Sequence, residues 1–213
     1  MSKSEIISRI ISVGVIPVIR ASSHEEALAV IDAIAAGGIT TMEVTMTVPG
    51  AVELIRQLSG RTDLLLGAGS VLDPETAREC IAAGAEFIVS PATDLGTIKY
   101  CNEADIAVMP GALTPTEILA ASNAGADFVK VFPADSMGGA PYLRSIKAPM
   151  PHLKLIPTGG VNQTTAADFI RAGAEAIGVG SDLVDIKAVR EGRTAEITAA
   201  AKRYLEIVAE ARR

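Results

Sequence analysis

Ala124-Gly125-Ala126-Asp127-Phe128-Val129-Lys130-Val131-Phe132-Pro133 contains a helix end, a strand and a stop in ten residues. Alanine followed by glycine is the ending of a helix, where the C′ position favours φ > 0. The β-branched and aromatic run that follows reads as a buried strand, and Pro133 stops it. The same phrase recurs as Ala36-Gly37-Gly38-Ile39, Ala83-Gly84-Ala85-Glu86 and Ala172-Gly173-Ala174-Glu175. Gly37, Gly84, Gly125 and Gly173 are therefore separated by 41 to 48 residues. A period in that range marks an architectural unit.

Each interval has room for two strand–helix pairs. Strands are predicted near 14–20, 40–46, 64–68, 86–90, 106–109, 127–132, 154–158 and 176–180. Helix starts are predicted at Ser23 before Glu25-Glu26, at Asp73-Pro74, at Thr114-Pro115 and at Asn162, from capping residues and from proline in the first turn. Eight short aliphatic strands alternating with helices imply parallel pairing and right-handed crossovers. Four double units fit a closed (βα)₈ TIM barrel better than an open doubly wound sheet, although about 250 residues is more usual for the class. Segments 3–12 and 192–211 read as additional N-terminal and C-terminal helices, with Leu205, Ile207 and Val208 packing on the barrel. No linker is visible, so residues 1–213 are expected to form one domain.

The composition agrees with that architecture. Hydrophobic residues make up 49% and aromatics only 3%, which suits short aliphatic strands and alanine-rich helices. A net charge of −6 argues against a general nucleic-acid surface, which needs a basic patch. It leaves room for a phosphorylated metabolite held by backbone amides. Cys80 and Cys101 have no CxxC or zinc spacing, and His24 and His152 are the only histidines, so no His/Cys metal site is expected. Structural thiols fit a reducing cytoplasm. The N-terminal stretch, broken by Lys3, Glu5 and Arg9, is not expected to act as a signal peptide, and no apolar run approaches the ~20 residues of a membrane span.

In a barrel of this class, functional side chains project from the C-terminal ends of the strands and the loops after them. Arg20, Ser70 and Thr158 occupy such positions, while Glu43 and Lys130 are charges inside apolar strands. An ammonium in a buried strand loses hydration, which disfavours its charged form, and a neutral lysine can attack a carbonyl. A lysine that snorkels to the strand end or pairs with a carboxylate is the competing reading. Burying both charges costs several kcal/mol that aliphatic residues would save, which favours an acid/base and nucleophile set. Pro157-Thr158-Gly159-Gly160-Val161-Asn162 and Gly178-Val179-Gly180-Ser181-Asp182 follow strands seven and eight. Loops at those two places, each leading into a helix, form the phosphate site common in these barrels. Gly67-Ala68-Gly69-Ser70 is half of a dinucleotide fingerprint, but no GxGxxG follows, so no nicotinamide cofactor is expected. Gly138-Gly139 reads either as a flexible loop over the pocket or as a plain turn.

These motifs together resemble the 2-keto-3-deoxy-6-phosphogluconate (KDPG) and 4-hydroxy-2-oxoglutarate (KHG) aldolase family. The likeness runs through Val15-Ile16-Pro17-Val18-Ile19-Arg20, Glu43-Val44-Thr45, Gly67-Ala68-Gly69-Ser70-Val71, Ser90-Pro91, Pro110-Gly111 and Thr114-Pro115-Thr116-Glu117. It continues with Lys130-Val131-Phe132-Pro133-Ala134 and Pro157-Thr158-Gly159-Gly160, covering nearly the whole chain. The resemblance implies a cytoplasmic, homotrimeric class I aldolase with no cofactor, acting on a small 2-keto acid. It gives Lys130 the Schiff base and Glu43 the acid/base role. It places Thr158, Gly159, Gly160, Gly180 and Ser181, with Ser70 and Pro91, around the substrate. Two departures stand out. Thr47 occupies a position where many members carry an arginine for the substrate carboxylate, and Arg20 is the expected replacement. Ser70 stands where threonine is usual and keeps the hydroxyl. The galactonate epimer and hydroxy-oxoglutarate remain open as substrates. A non-covalent phosphosugar epimerase or isomerase and a non-catalytic binding protein on the same barrel also remain open.

Overall fold

The computed structural model describes residues 1–213. Nine short strands alternate with ten helices. After α1 (Lys3–Val13) come β1 (Val15–Ile19), α2 (His24–Ala36), β2 (Thr41–Thr45), α3 (Ala51–Leu58), β3 (Leu65–Gly69) and α4 (Pro74–Ala83). Next are β4 (Phe87–Val89), α5 (Leu95–Glu103), β5 (Ala107–Met109), β6 (Gly111–Ala112), α6 (Pro115–Asn123) and β7 (Val129–Val131). The chain closes with α7 (Ala140–Lys147), β8 (Leu155–Pro157), α8 (Ala166–Arg171), β9 (Ile177–Val179), α9 (Ile186–Arg190) and α10 (Thr194–Ala211).

All pairings are parallel. One sheet runs β5-β4-β3-β2-β1-β9 and the other β6-β7-β8, so the α/β fold contains a half-barrel of six strands beside a smaller sheet. The expected fifth strand, 106–109, forms as β5, and Pro110, which has no N–H to extend a ladder, separates it from the short β6, which was not expected. β5 pairs with β4, and β6 with β7.

Three of the four expected helix starts follow from the residues read as caps. The side chains of Ser23, Asp73 and Thr114 accept hydrogen bonds from Glu26, Thr76 and Glu117 amides, and Thr114 with Glu117 completes a capping box. Two expectations need correction. Asn162 does not start α8; its Oδ1 accepts from the Thr164 and Thr165 amides in a turn that precedes the helix. In the first Ala-Gly phrase the left-handed residue is Gly38, at φ 97°, while Gly37 stays right-handed. Gly37 instead admits α10: a Cβ there would lie 2.5 Å from the Ala201 methyl. Gly138-Gly139 forms a plain turn between a 3₁₀ turn (Asp135–Met137) and α7.

The strands are apolar on both faces, and the alternation sorts them into two cores. Val15, Met42, Val44, Leu66, Ile88, Val108, Val129, Leu155 and Ile177 join the large cluster beneath the helices. Ile16, Leu65, Phe87, Val89, Met109, Phe128 and Ile156 meet from both sheets in a smaller one. Ile6 and Ile10 of α1 close that second cluster from the side where the strands begin. Cys80 and Cys101 are buried free thiols, each pushed up to about 11 by desolvation. In α10, Ile207 and Val208 are buried and Leu205 packs against the core, as expected. No helix is long and apolar enough to cross a membrane.

Candidate active site

Period-two alternation puts Glu43 of β2 and Lys130 of β7 on the same side as the small cluster, between strand residues that face the helices. Their side chains are 3% and 6% exposed, and the Lys130 Nζ donates to Glu43 Oε1 at 3.5 Å. That is long against the roughly 2.7–2.9 Å of a charge-assisted hydrogen bond. The ammonium also lies 5.4 Å from the Phe132 ring centre. The pair is dry but not clamped, so the amine retains freedom to turn toward a carbonyl.

Space for the carboxylate comes from Gly69. A Cβ at that position would sit 2.2 Å from Glu43 Oε1. The next residue, Ser70, holds φ at 60°, a left-handed conformation that costs a non-glycine residue about 1–2 kcal/mol. Gly69→Ala is therefore expected to push Glu43 away from Lys130 and lower kcat/KM roughly 10- to 100-fold, in line with a misplacement of about 1 Å. Steady-state kinetics checks this, with the unfolding midpoint as a control; unchanged turnover would show that Glu43 needs no such room.

A cavity of 630 Å³ opens beside the pair. Val18, Arg20, Phe132, Thr158, Gly159, Gly160, Gly178, Gly180, Ser181 and Asp182 supply most of its wall. Val18 is the register partner of Glu43, and Phe132 follows Lys130 by two residues, so the cavity and the buried pair adjoin. Thr158 stands over Gly178, where a Cβ would lie 2.1 Å from its Oγ1. The amides of Gly159, Gly160, Val161, Gly180, Ser181 and Asp182 make no hydrogen bond within the chain. Six free donors on two neighbouring loops form a concavity suited to an anion. Arg20 adds an exposed guanidinium with no ion-pair partner.

The expected site residues thus divide. Arg20, Thr158, Gly159, Gly160, Gly180 and Ser181 line the cavity; Thr47, Ser70 and Pro91 do not. Thr47 is exposed, with its hydroxyl 2.6 Å from that of Thr45, whose own hydroxyl donates to the Ile19 carbonyl. Pro91 packs instead on Gly111, the register partner of Lys130, where a Cβ would meet the Pro91 carbonyl at 2.3 Å. Val18, Phe132, Asn162, Asp182 and Val184 also line the cavity and were not singled out from the sequence. Phe132 alone was legible, by its two-residue spacing from Lys130.

Fold and site together define an enzyme, a carbon–carbon lyase. The chain matches the KDPG and KHG aldolase family over residues 6–200, and it belongs to that family. It is 34% identical to the 2-dehydro-3-deoxy-phosphogluconate aldolase of Treponema pallidum, over 92% of this chain and 94% of the relative. It is 32% identical to the KHG/KDPG aldolase of Escherichia coli K12, over 90% and 91%. Among solved structures, the KDPG aldolase of Legionella pneumophila, holding pyruvate as a covalent carbinolamine, superposes with a TM-score of 0.85. That protein is 31% identical, over 92% of this chain and 96% of the other.

Proposed function

We propose that this chain is a class I aldolase that cleaves KDPG to pyruvate and glyceraldehyde 3-phosphate through a Schiff base on Lys130. The buried Lys130–Glu43 pair, set beside a cavity with six free amides, is the observation that carries the reading. The neutral amine attacks C2 of the 2-keto acid, and the carbinolamine loses water after Glu43 supplies a proton. Glu43 carboxylate then takes the proton of the C4 hydroxyl as the C3–C4 bond breaks. The bonding pair moves into the enamine, with the iminium nitrogen as electron sink, and the aldehyde departs. Glu43 returns that proton to C3 of the enamine, and hydrolysis releases pyruvate and the free lysine. Incubation with pyruvate and borohydride, followed by peptide mass mapping, tests this: one reduced adduct is expected, on Lys130. Wild-type enzyme that turns over without such an adduct rules the Schiff base out.

The two sheets are read as one (βα)₈ barrel with additional terminal helices, formed by residues 1–213 as a single domain. Hydrogen bonds across both seams support this. The Asp127 amide donates to the Val108 carbonyl at 3.1 Å and the Lys130 amide to Pro110 at 2.9 Å. On the other side, Glu175 donates to Leu155 at 3.0 Å, and Thr158 bridges to Gly178. A homotrimer is the proposed assembly. A relative 29% identical to this chain, with a TM-score of 0.83, is a cage designed by fusing symmetric oligomeric domains. Leu72 and Leu95, 61% and 62% exposed, offer apolar surface for a contact. The cytoplasm, as inferred from unpaired buried thiols, is the proposed location.

Arg20 shares the cavity wall with the free amides, which supports a seat at the phosphate end of the substrate rather than the expected carboxylate clamp. Arg20→Ala should raise KM for KDPG by about 10- to 100-fold, the worth of charge-assisted hydrogen bonds. Trapping of pyruvate on Lys130 should continue. Loss of trapping would return Arg20 to the carboxylate.

A further inference from the structure

The C-terminal helix reaches the loop that supplies half of the free amides. Tyr204 of α10 is fully buried, and its hydroxyl donates to Asp182 Oδ2. Asp182 itself is exposed and lines the cavity, directly after Gly180 and Ser181. Inside that loop, the Leu183 and Val184 amides both donate to the Gly180 carbonyl, at 3.0 and 2.9 Å. They are spent on the turn, whereas the amides of Gly180, Ser181 and Asp182 are free. What keeps those three in place must therefore come from outside the loop. On one side it is the Asp185 side chain, which accepts from the Ala188 amide and anchors the start of α9. On the other side, only the Tyr204 hydroxyl holds an Asp182 side-chain atom. The tyrosine is firmly seated, since α10 packs on α2 closely enough that Gly37 is needed opposite Ala201. Burial and the Asp182 carboxylate also raise the phenol's pKa, so it stays a donor throughout the working pH range.

We infer that Tyr204 and Asp182 form a latch that positions the Gly180–Asp182 amides for a phosphate and so sets the preference for phosphorylated over unphosphorylated 2-keto acids. The latch also has an electrostatic task. Asp182 and Arg20 line the same cavity, and a carboxylate free to swing there would repel a phosphate dianion and compete for the guanidinium. Tied to Tyr204, it does neither. Tyr204 is a positioning residue, with no contact to the reacting atoms.

The inference rests on the aldolase reading, and its test separates the two. kcat/KM is measured for KDPG and for unphosphorylated 4-hydroxy-2-oxoglutarate with wild type, Tyr204→Phe, Asp182→Ala and the double variant. Tyr204→Phe keeps the ring and removes one hydrogen bond to a charged group, so about a tenfold loss is expected on KDPG. Turnover of the unphosphorylated acid should stay within about twofold. Asp182→Ala removes the other half of the latch and should lose about as much on KDPG. The double variant should lose no more than either single one, because the two residues act as a unit. Equal losses on both substrates, or additive losses, would overturn the latch and leave Tyr204 as core packing. Orthophosphate gives a readout without turnover: it should raise the unfolding midpoint of wild type and do so less for Tyr204→Phe. A wild type that is stabilised by orthophosphate but cleaves neither acid would refute the aldolase reading and leave the latch standing.

Discussion

Lys130→Ala is expected to lower kcat/KM for KDPG cleavage by roughly 10⁴-fold or more, the scale on which covalent catalysts lose activity when their nucleophile is removed. The borohydride-reducible pyruvate adduct should vanish with it. The size of the effect follows from the chemistry: without the amine there is no iminium to accept the C3–C4 bonding pair. Neighbouring groups cannot substitute, since Lys130 is the only basic side chain among the buried residues of the chain. Stability separates this role from a structural one. A lone replacement leaves Glu43 as an unpaired buried carboxylate, so a loss of stability in Lys130→Ala proves nothing. Replacing both partners is informative. If the pair exists for structure, Lys130→Met with Glu43→Gln should unfold at markedly lower denaturant. If it exists for chemistry, the double variant should match the wild type in denaturant midpoint and be inactive, since buried ion pairs are often exchanged for apolar groups at no net cost.

Much of this site could be read from the sequence, because it depends on local rules. Two-residue alternation places Glu43, Lys130 and Phe132 on one side of their strands, and glycines after the last two strands give bare amides. Proline explains both a success and a miss. Pro74 and Pro115 mark helix starts, whereas the short strand β6 just after Pro110 was not expected. The contributions of Gly69 and Tyr204 were not legible. Gly69 was weighed as part of a nucleotide fingerprint, yet it serves to admit the Glu43 carboxylate from the neighbouring strand. Tyr204 lies 22 residues from Asp182, and only the packing of α10 brings them together. The division among Arg20, Thr47, Ser70 and Pro91 was equally hidden, since strand position gives the rim of a barrel but not which arc of it encloses the cavity.

Glu43→Gln is expected to lower kcat by about 10²- to 10⁴-fold, the usual contribution of a positioned general acid/base. Glutamine keeps the size that Gly69 accommodates and can still accept from the Lys130 amine, so packing hardly changes. Carbonyl attack should therefore not suffer, and a fall in rate has to come from proton handling. Three proton transfers are assigned to Glu43, and they can be observed separately. On long incubation with pyruvate and borohydride, the variant should still be labelled at Lys130, because the nucleophile is intact. Exchange of the pyruvate methyl protons in D₂O, followed by NMR, reports enamine formation and return, and should slow in step with kcat. Exchange at the wild-type rate combined with slow cleavage would confine Glu43 to the C4 hydroxyl and pass the C3 proton to another group. Exchange and cleavage both at wild-type rates would remove Glu43 from the mechanism altogether, leaving its burial beside Lys130 as a charge pairing only.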